Sequence, residues 1–361
     1  MKKMNRLLSI ALALTVLASS LHISSMMIFA AKDDGKSVIY WDGTTSQPTS
    51  DADGDGYIDI TLPSELAWVV ANNGNNGGKY ELLNDIWINN ITVNTDNGTY
   101  INNGAAAPRQ WYTRTAPSFK GTLNGNGFVV HGLYYNDSLA DSTTSGTTIG
   151  AGLIPYANNV TLTGIGVEDS YIRWLSNYST ATLIGGAFGS SVKISVDSCY
   201  AGESVYLKAY AGVGGILGGG GSKADGYVRI SNCYSLASLA AVGGNRRAGG
   251  IIGDHWIADN YTVTGCYTNS ACLLGNHGAT LTGTYNNNYA TGADTGAKWT
   301  TVAAADMKGS DAAKNMSGLD FESCYSVMAG YPILSIFKKY DAYVQYYLSE
   351  NDVVDLGIYY D

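Results

Sequence analysis

Short alternations of apolar and polar residues recur through the middle of the chain. Three of them span Val192–Ser195, Val228–Ser231 and Tyr261–Thr264. Because successive side chains of a strand point to opposite faces, alternation with a period of two predicts brief β-strands. Few stretches favour helix, and Gly, Asn and Thr are frequent between the alternations. The pattern therefore predicts an all-β chain with many tight turns.

Each alternation is one part of a longer repeat. The dipeptide Cys-Tyr follows it, and Cys199, Cys233 and Cys266 are 34 and 33 residues apart. The glycine-rich elements that precede the alternations are Gly185–Gly189, Gly214–Gly218 and Gly249–Gly253. One such unit cannot bury its apolar side alone, so successive units stack and share a core. We expect a parallel β-helix with glycines at corners that need positive φ, and a degenerate fourth copy at residues 279–285.

The Cys-Tyr pairs predict where two kinds of side chain lie. Neighbouring residues of a strand face opposite ways, so we expect an inward ladder of cysteines and an outward or corner row of tyrosines. Disulfides between adjacent coils are the alternative, although in-register parallel side chains point alike rather than at each other. Cys272 and Cys324 lie outside this register, and the redox state of all five cysteines stays open. No Cys-x-x-Cys pair is present to indicate zinc.

Helical segments are predicted on both sides of the repeats. Ser64 is expected to cap a short helix over residues 65–71, which would plug the open end of the first coil. One or two short helices are expected within residues 300–318. Residues 88–118 are expected to form an insertion or long loop.

The N-terminus has the pattern of a secretory signal. Lys2, Lys3 and Arg6 precede an apolar run, and small residues lie at Ala30 and Ala31, so cleavage is expected between them. A retained N-terminal anchor is the alternative. No later run reaches the ~18 apolar residues of a membrane helix. The sequence thus predicts an exported protein, extracellular or on a bacterial cell surface.

Four regions follow from these patterns. Residues 1–30 form the signal peptide and residues 31–63 an N-terminal segment rich in Asp. Residues 64–337 form the β-helix, and residues 338–361 form an acidic tail rich in Tyr. One interpretation of the tail is that it begins a further, truncated domain.

Composition narrows the class of partner. Charged residues make up 14% of the chain, against about 25% in an average soluble domain. The net charge is −9, and removal of the three basic residues of the leader leaves 18 bases against 30 acids, or −12. Such a surface repels nucleic acids and anionic membranes, and it is compatible with divalent cations and neutral glycans.

The sharpest local motif is a short acidic stretch that matches a calcium-binding loop. The expected ligands are Asp51, Asp53, Asp55, the backbone carbonyl of Tyr57, and Asp59. The twelfth position is Leu62 rather than Glu, so the bidentate ligand is missing unless Asp59 or Glu65 takes its place. A polar Asp-Gly turn before the first strand is the alternative.

One stretch has a distinctive glycine-rich signature. Residues 119–128 read Phe-Lys-Gly-Thr-Leu-Asn-Gly-Asn-Gly-Phe, and His131-Gly132-Leu133 follows. This stretch resembles the signature of GLUG-motif surface proteins. Residues 152–156 and 162–167 are similar to the next segment of the family, and the glycine-rich and Cys-Tyr repeats are typical of it. The resemblance covers about residues 38–337. Asn124 stands where Asp is usual and Pro155 where Gly is usual.

The resemblance implies a right-handed parallel β-helix on a bacterial exported protein. Modules of this kind often belong to larger surface proteins, some of them linked to adhesion or to peptidases. The family has no shared catalytic residues that could be carried over to this chain.

Catalytic motifs are weak. Asn94-Thr95-Asp96 resembles an element of β-helical pectin hydrolases, but the paired carboxylates of such enzymes do not follow. Arg246, Arg247, Asp254 and His255 form the densest polar cluster of the repeats, and a solvated loop is the alternative. Neither His-Glu-x-x-His nor Gly-x-Ser-x-Gly occurs.

Aromatic residues near loops are candidates for contact with a sugar or a protein, and ordinary packing at corners and caps is the alternative. They are Trp87, Trp111, Tyr112, Trp174, Tyr178 and Trp256. The sequence therefore predicts a non-catalytic adhesion or binding module for a glycan or protein. A polysaccharide lyase or glycoside hydrolase on the same fold, and a structural spacer of a larger surface protein, are the alternatives. Ligand identity and oligomeric state stay open.

Overall fold

The structure is a computed structural model of the whole chain. It describes residues 38–72, 77–112, 118–137, 150–175, 179–189, 191–222, 226–242, 247–258, 260–275, 283–293, 297–340, 347–348 and 354–355. The chain divides into Met1–Val38 and Ile39–Asp361, and every described residue except Val38 belongs to the second unit. The signal-peptide prediction for residues 1–30, and most of the tail 338–361, lie outside the described residues.

Parallel strands stack along the molecule in five columns, two of which run nearly its whole length. Two long strands, Phe119–His131 and Ile154–Glu168, pass through both of these columns. The other strands of the first column are Ile58–Ile60, Lys79–Leu82, Lys193–Asp197, Tyr227–Ser231, Tyr261–Thr264 and Gly283–Asn286. Those of the second are Ile86–Trp87, Tyr200–Ala201, Tyr234–Ser235, Tyr267–Thr268, Tyr289–Ala290 and Thr300–Thr301.

Three shorter columns complete the central coils. The third consists of Tyr134–Asp137, Tyr171–Trp174, Tyr206–Ala209 and Ser238–Ala241. The fourth consists of Thr180–Ala181, Gly212–Gly214 and Arg247–Gly249. The fifth joins the start of Ile154–Glu168 to Ile184–Gly189, Leu217–Ser222 and Ile252–Ala258. Because all five columns are parallel, the predicted all-β parallel β-helix is confirmed.

The repeat register of the sequence is the register of the strands. Ile194 pairs with Val228, which pairs in turn with Tyr261. Ile194, Val228 and their alternate neighbours Val196 and Ile230 are at most 1% exposed and belong to the central core. Stacking therefore places equivalent apolar residues of successive coils on top of one another, as the repeat requires.

The predicted cysteine ladder is present. Cys199, Cys233 and Cys266 are free thiols, 0% exposed, within the central core. A residue with positive φ directly precedes the inward position in each coil, and these residues are Gly164, Ser198, Asn232, Gly265 and Asn287. The corner is thus made by Gly, Ser or Asn in the left-handed region, where Asn is favoured among non-glycine residues.

The glycine pairs serve a different purpose from the one predicted. None of Gly214, Gly215, Gly249 and Gly250 has positive φ. A Cβ on Gly215 would lie 2.0 Å from the carbonyl oxygen of Gly250, and one on Gly250 would lie 2.1 Å from Oγ1 of Thr268. The prediction that these glycines turn corners is therefore wrong. A side chain at Gly215 would collide with the backbone of the next coil, and one at Gly250 would collide with the side chain of Thr268 in the second column.

The fourth copy of the repeat lies further along the chain than expected. Tyr285 pairs with Val263 in the first column, whereas Tyr289 pairs with Tyr267 in the second. Asn288, 1% exposed, occupies the inward position of a cysteine, and its Oδ1 accepts a hydrogen bond from the backbone N–H of Cys266 at 3.0 Å. The Asn-Tyr pair at 288–289, rather than residues 284–285, is thus the counterpart of Cys-Tyr.

A helix closes the N-terminal end of the core. It spans Pro63–Asn72 and buries Leu66, Ala67, Val69 and Val70 in the central core, which confirms the predicted capping role. Ser64 is not its cap. Instead, Oε2 of Glu65 accepts hydrogen bonds from the backbone N–H groups of Thr61 and Leu62, while proline occupies the first helical position.

Two segments cover outward tyrosine rows. Residues 88–118, expected to be an insertion or loop, contain the antiparallel hairpin Ile91–Asn94 and Thr99–Asn102. Tyr100 of this hairpin packs on the third-column row formed by Tyr134, Tyr171 and Tyr206.

The second-column row is covered by the C-terminal segment, residues 302–337. The row consists of Tyr200, Tyr234, Tyr267 and Tyr289, each at most 7% exposed. The covering segment contains the helix Ala312–Asn315 and the antiparallel pair Tyr325–Ser326 and Ile333–Leu334, and the 3₁₀ helix Ser335–Tyr340 follows. Short helices at this end are confirmed, and the tyrosine row faces outward as predicted but is buried. Tyr347–Leu348 and Val354–Asp355 form a further antiparallel pair.

Candidate functional site

The Asp-rich loop at residues 51–59 is folded around its own carboxylates. Oδ1 of Asp51 accepts a hydrogen bond from the N–H of Gly54 at 2.8 Å, and Oδ2 accepts one from Gly56 at 3.2 Å. Asp53 accepts from the N–H of Asp55, and Asp55 from that of Tyr57. Local bonds of this kind form Asx turns, which hold the chain in a tight loop.

Two of these carboxylates lie close to an acid that the motif does not contain. Asp59 and Glu81 are register partners on the adjacent strands Ile58–Ile60 and Lys79–Leu82. They are 4% and 3% exposed. One oxygen of each is hydrogen-bonded: Oδ2 of Asp59 to the N–H of Ala52 at 2.9 Å, and Oε2 of Glu81 to the amide of Asn126 at 2.6 Å. The other oxygens, Oδ1 of Asp59 and Oε1 of Glu81, are buried without a hydrogen-bond partner.

The acidic groups form two triads that share Asp53. Asp51, Asp53 and Asp55 are exposed, and one carboxylate oxygen of each lies within 4.8 Å of the others. Asp53, Asp59 and Glu81 likewise each have a carboxylate oxygen within 4.8 Å of the others. Burial, reinforced by the carboxylates of Asp55, Asp53 and Asp59, raises the pKa of Glu81 above its usual value, against the effect of the Asn126 hydrogen bond. A set of carboxylate oxygens with this charge suits a hard divalent cation such as calcium.

The structure places the carboxylates predicted from the sequence in two groups. Asp51, Asp53 and Asp55 come together as expected, and Asp59 joins Asp53 through the second triad. Tyr57 is half-buried with Lys79 above its ring, and its carbonyl as a ligand stays a prediction.

A carboxylate from another strand lies close to the loop, which has no acid at its twelfth position. The carboxylate of Glu65, the expected substitute, accepts hydrogen bonds at the N-terminus of the helix instead. Glu81 lies close to Asp53 and Asp59, and sequence spacing could not identify it, because it reaches the loop through strand pairing. The one available signal was an acidic residue at an outward position of the next strand.

A second polar surface lies on the second column. Tyr40 and Trp87 occupy neighbouring rungs with their rings 6.2 Å apart, and Trp87 stacks on His131 of the next rung at 3.9 Å. Nδ1 of His131 lies 2.9 Å from Oδ2 of Asp169. Tyr40 is 37% exposed and the Asp169 side chain 31% exposed. We call Tyr40, Trp87, His131 and Asp169 the aromatic row.

Glu168 occupies the next rung of the second column after His131. It pairs in register with His131, is 7% exposed, and accepts a hydrogen bond from the hydroxyl of Ser204. The pKa of Glu168 is raised to about 7, chiefly by burial and further by the Asp169 carboxylate. The hydrogen bond from Ser204 and the charge of His131 act in the opposite direction.

Other aromatic candidates from the sequence are structural. Trp111 is 1% exposed and its indole N–H donates to the carbonyl of Leu153 at 2.9 Å, while Trp174 is 4% exposed. Tyr112 is half-buried, and its hydroxyl donates to the carbonyl of Ala67. Trp111 and Trp174 are therefore packing residues, which is the alternative to ligand contact, whereas Trp87 is half-buried between Tyr40 and His131. Tyr178 and the side chain of Trp256 lie outside the described residues.

The weak catalytic motifs acquire ordinary structural roles. Oδ1 of Asn94 accepts hydrogen bonds from the N–H groups of Asp96 and Asn97, so it shapes the turn of the hairpin. Arg247 and Asp254 form an ion pair in which both side chains are largely buried. Arg246 and the side chain of His255 lie outside the described residues.

Within the described part of the chain, every helix is too short or too polar to cross a lipid bilayer.

Comparisons with known proteins add nothing to these assignments. No family model, curated protein or solved structure matches the chain.

Proposed function

We propose that this chain is an exported, cell-surface or secreted β-helical module that binds an extracellular glycan and catalyses no reaction. The observation that carries this proposal is the aromatic row. Aromatic rings pack against the C–H faces of sugar rings, and a nearby carboxylate accepts hydrogen bonds from sugar hydroxyls. Tyr40 supplies an exposed ring, and Asp169 supplies a partly exposed carboxylate at the other end of the row.

Charge favours a neutral glycan as the partner. The net charge is −9 over the whole sequence, so an acidic polysaccharide would meet repulsion. The basic and then apolar N-terminus supports export, where such ligands occur. The order of GLUG-like segments supports a bacterial surface protein, and some proteins of that family are linked to adhesion.

Binding to a glycan array tests the proposal, with the full chain compared with two variants of the aromatic row. Tyr40→Ala removes the exposed ring, and Asp169→Asn removes the charge while keeping a residue that tolerates positive φ, here 50°. Both variants are expected to lose about tenfold or more in affinity, as for loss of a central contact. Tyr227→Ala is the matched control, because Tyr227 lies in the first column against Arg229.

Each outcome of the array has a meaning. Binding that survives in both aromatic-row variants would place the glycan elsewhere on the molecule. If the full chain bound no arrayed glycan, glycan recognition would be rejected, and the chain would be a protein-binding module or a passive spacer instead.

A carbohydrate-active enzyme is the second candidate, and Glu168 is the observation that favours it. A carboxyl group with a pKa of about 7 beside a His–Asp pair has the character of a general acid. Against this, Glu168 is 7% exposed and its carboxylate is bonded to Ser204, so a substrate has little access to it. Gradual loss of an arrayed glycan, abolished by Glu168→Gln, would establish the enzyme and overturn the binding module.

A further inference from the structure

Two buried carboxylates face the same small space at the N-terminal end of the β-helix. Asp59 and Glu81 pair on adjacent strands, and each keeps one oxygen buried with no hydrogen-bond partner. A buried carboxylate without compensation is costly, and two such groups side by side also repel each other. A bound proton or a cation relieves such an arrangement, and only a cation leaves both carboxylates ionised.

No basic side chain supplies that charge to the described cluster. Among the described ion pairs, neither Asp59 nor Glu81 has a partner, and Lys79 lies over the ring of Tyr57 instead. The third nearby acid is Asp53, from the tip of the Asp-rich loop, with a carboxylate oxygen within 4.8 Å of oxygens of the other two. Three negative groups therefore converge from a loop and two strands.

We propose that one calcium ion binds between Asp53, Asp59 and Glu81, and that Glu81 is the carboxylate ligand missing from the Asp-rich loop. The donor set consists of oxygens alone, which disfavours zinc. Calcium accepts six to eight oxygens in irregular geometry, whereas magnesium requires a near-ideal octahedron. The exposed triad of Asp51, Asp53 and Asp55 adjoins this site through the shared Asp53.

The ion ties the loop to the first two rungs of the β-helix. Asp53 belongs to the loop, Asp59 to the strand Ile58–Ile60 and Glu81 to Lys79–Leu82. The end rung of a parallel stack has an unpaired edge, which is prone to fraying and to association with other chains. Bound calcium therefore holds this end of the solenoid closed, a role that does not depend on glycan recognition.

Calorimetric titration of the metal-free full chain with calcium chloride tests the site, together with thermal unfolding with calcium and with chelator. Calcium is expected to bind with measurable heat and to raise the Tm. Glu81→Gln keeps the shape of the side chain and is expected to weaken calcium binding by about tenfold or more, because ligand charge sets affinity. In chelator this variant should melt no lower than the parent, because it removes repulsion.

Two controls separate this site from alternatives. Glu322→Gln, a matched change at an exposed glutamate, should bind calcium like the parent. Asp51→Asn should weaken calcium binding less than Glu81→Gln does, because Asp51 belongs only to the exposed triad. Absence of calcium binding by the parent, or parental affinity in Glu81→Gln, would overturn the proposal. Neither result depends on the glycan array.

Discussion

The backbone N–H of Cys199 donates a hydrogen bond to Sγ of Cys233 on the following coil, over 3.4 Å. The same relationship joins the N–H of Ile165 to Sγ of Cys199 at 3.5 Å. Each thiol in turn donates to a carbonyl of its own coil, Cys199 to Asp197 and Cys233 to Ser231. The sulfurs therefore link successive coils as acceptors while they fill the core as small apolar groups.

The ladder predicts a sharp division in thiol reactivity. The thiolate is the reactive form, and burial raises the pKa of Cys233 well above its usual value. Iodoacetamide added to the native chain should therefore modify the partly exposed Cys272 and Cys324 while the three ladder cysteines stay unmodified. Mass spectrometry of peptides reads the result, and labelling in denaturant is the control in which all five react. Modification of Cys233 in the native chain at the rate of Cys324 would contradict the ladder.

Local periodicity explains why so much of the solenoid could be predicted. The spacing of Cys199, Cys233 and Cys266 equals one coil, so it predicts both the stacking and the inward ladder. The alternations around Ile194 and Val228 predict the first column for the same reason. These features need only information that repeats along the sequence.

Features that depend on contacts between distant segments were not predictable in this way. Tyr267 was expected to face outward, and it does, but its hydroxyl donates to the carbonyl of Pro332 beneath the C-terminal segment. Nothing near Tyr267 in the sequence indicates that cover. Glu81 likewise meets the Asp-rich loop only through strand register, and no linear motif spans that distance. The fold and two members of the buried triad, Asp53 and Asp59, could thus be predicted from the sequence, whereas Glu81 could not.

Close approach of the coils predicts that the glycine pairs tolerate no side chain. In Gly215→Ala the new Cβ would lie 2.0 Å from the carbonyl oxygen of Gly250 and 2.1 Å from Oγ of Ser235. Because backbone must shift to relieve these contacts, we expect a loss of about 1–3 kcal/mol in the free energy of unfolding, as for an overpacked core. Urea denaturation measures the loss.

Gly104→Ala is the matched control for this change. The nearest atom to a Cβ at Gly104 is the side-chain oxygen of Asn102 at 3.3 Å, and the residue lies in a surface loop. Its effect should stay within about 0.5 kcal/mol. Equal stability of Gly215→Ala and the parent would show that the coils are further apart than the structure places them.

Glu168 predicts that stability falls as pH rises across the weakly acidic range. Its pKa is about 7 in the folded chain, against about 4.3 for an unperturbed glutamate. Between these values the folded state holds a proton that the unfolded state has released, so the contribution of Glu168 is complete below pH ~4.3 and lost by pH ~7. The total change is on the order of 3 kcal/mol.

Urea denaturation at several pH values measures this dependence, with Glu168→Gln as the decisive variant. The neutral amide retains an oxygen that can accept from Ser204, so the variant should lack the decline between pH 5 and 7 and exceed the parent in stability at pH 8. Glu203→Gln, a change at a partly exposed glutamate of the next coil, should keep the parental profile. If the stability of Glu168→Gln declined with pH as that of the parent does, Glu168 would be ionised in the folded chain across this range. Glu168 could then not act as a general acid.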